Sequence, residues 1–146
     1  YKNVMLNGIE LNTPNIFNQA TNPTPGNNDE HVELNSGGTI LSWTPAINAV
    51  SHNIYFGTEG GGITIYNKKT EATSYINSKT GQTNKNDIKA MCLSDDHILW
   101  IGTFSKGLSA YNTVSTRIED NRIAPDLTEL LKESGVYSLK AENIYG

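Results

Sequence analysis

Apolar and polar positions alternate along this chain in short runs of four to six residues, broken by Asn and Gly. Val4-Met5-Leu6, the pair Asn7-Gly8, and Ile9-Glu10-Leu11 predict a tight β-hairpin, because Asn-Gly accepts the positive φ that a primed two-residue turn requires. His31 to Asn35 and Thr39 to Thr44 flank Ser36-Gly37-Gly38 and predict a second hairpin, with Val32, Leu34, Ile40 and Trp43 toward a core. Further strands are expected at Asn53 to Thr58, Ile63 to Tyr66, around Ser74 to Asn77, and at Ile88 to Leu93, Ile98 to Thr103 and Leu108 to Tyr111. Every connection between them is short. That excludes helical crossovers and predicts an antiparallel meander.

One stretch breaks the β pattern. Asp126-Leu127-Thr128-Glu129 pairs a capping carboxylate with Glu three residues on, Leu127, Leu130 and Leu131 share a helical face, and Gly135 follows as a stop. A single short helix is therefore expected inside Pro125 to Ser134, packed on a sheet by its leucines. Beyond it, Tyr137, Leu139 and Ala141 alternate with polar residues and predict a half-buried final strand. Between Asn12 and Glu30, Pro14, Pro23 and Pro25 oppose central-strand roles and mark a linker. The domain reading is thus an N-terminal hairpin with a Pro/Asn-rich linker over 1–30, followed by one β domain over 31–146.

A fourteen-residue pattern occurs twice. Ile54-Tyr55-Phe56-Gly57-Thr58-Glu59-Gly60-Gly61-Gly62-Ile63-Thr64-Ile65-Tyr66-Asn67 returns 45 residues later as Leu99-Trp100-Ile101-Gly102-Thr103-Phe104-Ser105-Lys106-Gly107-Leu108-Ser109-Ala110-Tyr111-Asn112. That period, with an aromatic-apolar-Gly-Thr strand in each copy, is the signature of propeller blades or related β arrays. The fold class is all-β, and both copies should form equivalent hairpins. The expected core is Ile65, Tyr66, Leu93, Leu99, Trp100, Ile101, Tyr111 and Leu139.

Composition narrows function mainly by exclusion. In 146 residues, 11 Lys plus Arg face 15 Asp plus Glu, a formal charge of −4 that opposes a nucleic-acid surface. Cys92 is the sole cysteine and sits in Ala90-Met91-Cys92-Leu93, where a small buried hydrophobe is the simplest reading. No apolar run is long enough to insert in a membrane as a helix. The chain opens on Tyr1 without an initiator Met, which reads as a fragment or processed product.

Candidate binding chemistry rests on aromatic rings. Tyr55 and Trp100, Tyr66 and Tyr111 occupy matching repeat positions and, with Trp43, are candidate stacking platforms for sugar rings. Their fixed period argues instead for a core role in each copy. Glu59-Gly60-Gly61-Gly62 lacks the Lys-Ser/Thr of a phosphate loop and reads as a turn. Asn27 to Glu30 and Asn84 to Asp87 carry oxygen ligands without calcium-loop spacing. His31, His52 and His97 stand in no metal or nucleophile motif, and His52 and His97 precede the two repeat strands as turn residues. No catalytic residue, metal or cofactor is expected, and the chain is read as not an enzyme.

The repeat resembles the two-component regulator propeller repeat of periplasmic sensor regions in bacterial hybrid histidine kinases. The likeness is carried by Asn86-Asp87-Ile88-Lys89-Ala90-Met91, Ser94-Asp95-Asp96, Leu99-Trp100-Ile101-Gly102-Thr103, Gly107-Leu108 and Tyr111-Asn112, within roughly residues 53 to 113. Trp43 to His52 depart from it, repeating Ile88 to His97 only in the histidine. An overlapping stretch is similar to fibronectin type III-like modules of secreted bacterial carbohydrate-active enzymes. It comprises Ala20-Thr21-Asn22-Pro23-Thr24-Pro25, Leu41-Ser42-Trp43-Thr44-Pro45, Ala49 to Thr58 and Gly135 to Asn143. The tyrosine-tryptophan strand usual in the middle of those modules is missing. The first resemblance implies a non-catalytic periplasmic or extracellular sensor module, with oligo- or polysaccharide and further repeats as partners. The second implies an immunoglobulin-like sandwich serving as a structural spacer, a pattern that argues for a core role for Trp43 too.

Overall fold

The computed structural model describes residues 3–6, 9–12, 20–26, 38–83, 85–94 and 96–140. They form an all-β protein of antiparallel sheets with two short helices. The chain divides into two compact units, Tyr1–Val50 and Ser51–Ile144. In the first, β1 (Asn3–Leu6) pairs with β2 (Ile9–Asn12) in the register Leu6↔Ile9, the hairpin expected around Asn7-Gly8. β3 (Thr21–Thr24) pairs with β4 (Ser42–Thr44), tied by Asn22 Nδ2 donating to Thr44 Oγ1 at 3.2 Å. Part of the expected linker is therefore a strand; Pro23 is tolerated because β3 has a neighbour on one side alone. His31 to Asn35, the expected partner of Thr39 to Thr44, and the expected boundary at residue 30 lie outside the described residues.

The second unit holds two sheets. β5 (Asn53–Thr58), β6 (Gly62–Asn67) and β7 (Thr73–Ile76) make the first. β8 (Ile88–Leu93), β9 (Ile98–Thr103), β10 (Leu108–Asn112) and the short β11 (Arg117–Ile118) make the second, in the order β11-β10-β9-β8. All pairings are antiparallel between consecutive strands, as a meander requires.

The two sequence copies are structural equivalents. Tyr55↔Ile65 and Gly57↔Ile63 in one hairpin match Trp100↔Ala110 and Gly102↔Leu108 in the other. Thr58 Oγ1 donates to Gly62 O (3.1 Å), and Thr103 Oγ1 to Gly107 O (2.9 Å). Gly62 and Gly107 both take a φ above +70°, a conformation that glycine adopts at no steric cost. At the far end, Asn67 Oδ1 accepts the backbone N–H of Lys69 and Thr70, and Asn112 Oδ1 those of Val114 and Ser115, so each Tyr-Asn pair ends in the same side-chain-capped turn. The carbonyls of His52 and His97 accept from Lys68 and Thr113, both at 2.9 Å, which gives the two histidines matching turn positions.

Strand alternation decides which faces meet. Tyr55, Gly57, Ile63, Ile65 and Ile76 share one face of the first sheet; Ile88, Met91, Leu99, Ile101 and Tyr111 share the facing side of the second, and together they form the core. On the opposite face of the second sheet, Leu108 and Ala110 are buried too, covered by α1 (Asp120–Ile123), α2 (Pro125–Leu131) and Val136, whose side chain meets Gly102. Burial on both faces explains why Leu108, Ser109, Ala110 and Tyr111 are all inaccessible.

Several local expectations change: Ile40, expected toward a core, is exposed, and Cys92 is half-buried. Leu93 ends the edge strand β8 and is 39% exposed, so it is not core. Ile65, Tyr66, Trp100 and Leu139 are half-buried rather than buried. The helical region is two helices, and it presents Thr128 inward, with Leu127 and Leu130 exposed. Thr128 Oγ1 donates to Ala124 O (2.9 Å), and the end of α2, at Leu131 and Lys132, abuts Gly107. Residues 134–140 carry no strand ladder. Val136 N donates to Thr103 O (2.8 Å), while Tyr137 is exposed and sets its ring edge-on to Phe104; Ala141 lies outside the described residues.

Candidate functional site

A cleft of about 380 Å³ opens in the second unit where the first sheet meets the end of β10. Period-two alternation places Asn53 and Tyr55 of β5, Ile65 and Asn67 of β6 and Ser74 of β7 on one wall. Tyr111 and the turn residues Thr113 and Thr116 form the other, with Gln82 at the margin. Asn67 is committed to structure: its Oδ1 holds the turn, and its Nδ2 donates to Asn53 Oδ1 at 2.8 Å, fixing that amide. Asn53 in turn hydrogen-bonds Tyr55.

Burial pushes the Tyr55 phenol above its ordinary pKa, with the hydrogen bond to Asn53 opposing the shift. Tyr111 is raised first by burial and then by its nearness to Tyr55. Both phenols are therefore neutral hydroxyls at physiological pH. No Asp, Glu, Lys, Arg or His is among the cleft's described lining residues. An aromatic ring, aliphatic Ile65 and Ile76, and uncharged hydroxyl and amide groups make a surface suited to a polar, neutral, partly apolar-faced molecule.

Of the aromatic candidates, Tyr55 and Tyr111 line this cleft, while Tyr66 stands on the opposite face of the first sheet from Ile65. Trp43 belongs to β4 of the N-terminal unit and is half-buried. Trp100, half-buried, sits opposite Ala110 and Cys92 on the other face of the second sheet, so the fold does not bring it together with Tyr55. Thr113 and Gln82 were not singled out for binding by sequence. Their approach to Tyr55 comes from the packing of one sheet on another, for which no local motif exists.

A second polar group escaped the sequence reading altogether. Lys85 Nζ donates to Leu108 O (2.8 Å), Ser109 Oγ (2.6 Å) and Asp120 Oδ2 (3.2 Å), while Asp120 Oδ1 accepts from Ala110 N at 2.7 Å. A serine beside a lysine is a nucleophile-base pairing in some enzymes. Here Ser109 is 1% exposed and opens on a void of about 10 Å³, too small for a substrate. The group works as a latch that fastens α1 and the turn before β8 to β10. Elsewhere on the surface Lys89 pairs with Glu59, holding that carboxyl below its ordinary pKa, and lies 5.6 Å over the Phe104 ring.

Other sequence candidates resolve as turns. Asn86 Oδ1 accepts from Ser78 N (3.0 Å), and Glu59 to Gly62 joins β5 to β6. Asn27 to Glu30, Asn84 and His31 lie outside the described residues. Among the described residues no three His, Cys, Asp or Glu converge as a metal site, and no helix is long and apolar enough to cross a membrane.

Comparison with known proteins gives one likeness of note. The chain is 37% identical over 91 residues to Histidine kinase P4 of Formosa agariphila, a stretch that is 62% of this chain and 7% of that protein. The chain thus corresponds to a small part of the relative's length. No family model matches, and no solved structure does.

Proposed function

We propose that the chain is a non-catalytic, extracytoplasmic recognition module of a sensor protein, built from propeller-blade-type repeats and binding oligo- or polysaccharide in the cleft beside Tyr55. The single observation that carries the reading is that cleft, whose ring, amides and hydroxyls stand on three rigid strands, as a binding site needs. Part of a histidine kinase shares 37% of the matched sequence, which supports the sensor context. Lys85 and Ser109 are spent on a buried latch, which supports recognition without turnover.

Further repeats are the proposed structural partners. Ile101 and Phe56 occupy equivalent repeat positions, yet Ile101 is 3% exposed beneath the first sheet while Phe56 is 38% exposed. A preceding sheet packed on the Phe56 side would repeat the contact already made inside the unit. Nucleic acid and membrane insertion have no place in the proposal, given a net charge of −4.

The spacer reading keeps one observation in its favour. β3 and the Trp43-bearing β4, two segments of the fibronectin-like resemblance, are paired neighbours in the N-terminal unit. The test is incubation of the full chain with a panel of oligosaccharides, reading melting temperature and product chromatography together. The proposal expects stabilisation by at least one sugar with no product formed. Uniform indifference to every sugar favours the spacer, and product formation overturns both.

A further inference from the structure

We propose that the cleft between the two sheets selects an uncharged, hydroxyl-rich ligand, a neutral oligosaccharide, over an anionic one of the same length. The inference rests on the recognition reading and names its ligand class. Its warrant is the chemistry of both walls. Tyr55, Asn53 and Ser74 on one side, and Tyr111, Thr113 and Thr116 on the other, supply rings, amides and hydroxyls without a formal charge.

A carboxylate or sulfate moved into such a recess gives up part of its hydration, and no cation is among the described lining residues to replace it. A buried charge is tolerated where it is paired, and pairing is what this site lacks. The net charge of −4 adds a long-range term of the same sign. A neutral sugar meets neither cost. Its hydroxyls exchange water for Ser, Thr and Gln partners, and the apolar face of its ring covers Tyr55. Ser74, Gln82 and Thr116 make no side-chain hydrogen bond with other described residues, so these groups are open to a ligand. The volume of about 380 Å³ lies within the range of small-ligand sites.

A second recess, of about 250 Å³, has charged lining: Lys106 and Asp87, with Asn86 and Lys85, whose ammonium is held by the latch. The two recesses share no lining residue, so amide shifts distinguish them.

The experiment is titration of the full chain, by calorimetry and by amide NMR, with neutral hexasaccharides (β-1,4-glucan, mannan and xylan) and with a hexagalacturonate. The proposal expects at least one neutral hexamer to shift the amides of Tyr55, Ser74 and Tyr111 and to bind about tenfold or more tighter than hexagalacturonate. Gln82→Arg, at an exposed position in the cleft lining, should narrow that gap by strengthening hexagalacturonate relative to the neutral hexamer. If hexagalacturonate shifts the same amides with equal or greater affinity, the charge selectivity is wrong and the recognition reading stands. If no probe shifts a cleft amide, or the only shifts fall at Asn86 and Lys106, both the selectivity and the cleft's recognition role are wrong.

Discussion

Gly57 lies directly beneath Ile88, so close that a Cβ at residue 57 would fall 2.6 Å from Ile88 Cγ2 and 3.1 Å from Met91 Cε. The equivalent Gly102 meets Val136 in the same way, 2.7 Å from Cγ1 and 2.6 Å from the carbonyl oxygen. Met91 and Val136 each lie 34 residues after the glycine they cover. The repeat is thus a repeat of packing as well as of hairpin shape: each copy leaves a gap at its glycine that the following segment fills.

Gly57→Ala should therefore destabilise by about 1–2 kcal/mol, because Ile88 and Met91 are side chains that can give way. Gly102→Ala should cost more, about 2–3 kcal/mol, since the clash includes the backbone at Val136. Urea unfolding of the two variants checks the order. Equal midpoints to the parent would mean the sheets and segment are not packed at these glycines.

Lys85→Met removes the charge that faces Asp120 and the donor to Leu108 O and Ser109 Oγ. Both side chains keep some solvent access, 17% and 22%, so the loss is discounted from that of a fully buried pair to about 1–3 kcal/mol. Hydrogen exchange should show the amides of α1 opening first, as the latch is what ties that helix to β10.

Stability should fall on the alkaline side. Tyr55 and Tyr111 carry raised pKa values, so at high pH the unfolded chain loses phenolic protons before the folded one does. Their contribution is complete below the ordinary tyrosine pKa of about 10 and is lost as pH rises through the folded values. Absorbance titration near the phenolate band should resolve two late-titrating tyrosines, and a Tyr55→Phe variant should shed one. Seven tyrosines ionising together would contradict the burial of these two.

Trp100→Ala should cost about 2–3 kcal/mol, less than for a fully enclosed tryptophan, because its ring is half-buried. The variant should keep the parent's affinity for any sugar bound in the cleft, since Trp100 lies on another face. A variant that melts like the parent but loses sugar binding would make Trp100 a platform instead.

Much of the second unit was legible in the chain. Aromatic-apolar-Gly-Thr repeated at 45 residues carries alternation, turn glycine and capping Asn together, so local pattern and register agree. The helix was misread because the spacing of three leucines suggested the inward face, whereas the residue α2 buries is Thr128, its hydroxyl satisfied by Ala124 O. β3 was hidden by Pro23, which an edge position tolerates. The site was half legible: Tyr55 and Tyr111 announced themselves by their repeat positions, but their meeting, and the approach of Thr113 and Gln82, come from packing over long sequence separations. Lys85 gave no sign at all, sitting in an Asn-rich turn with its partners Ser109 and Asp120 far along the chain.

The central claim, that a ligand binds between the two sheets at Tyr55, is tested most directly by intermolecular NOEs in a complex of the full chain with the tightest neutral hexasaccharide. The account predicts cross-peaks from sugar ring protons to the Tyr55 ring and to the Thr113 or Thr116 methyl group. Cross-peaks to Trp43 or Trp100 instead, with Tyr55 silent, would contradict it.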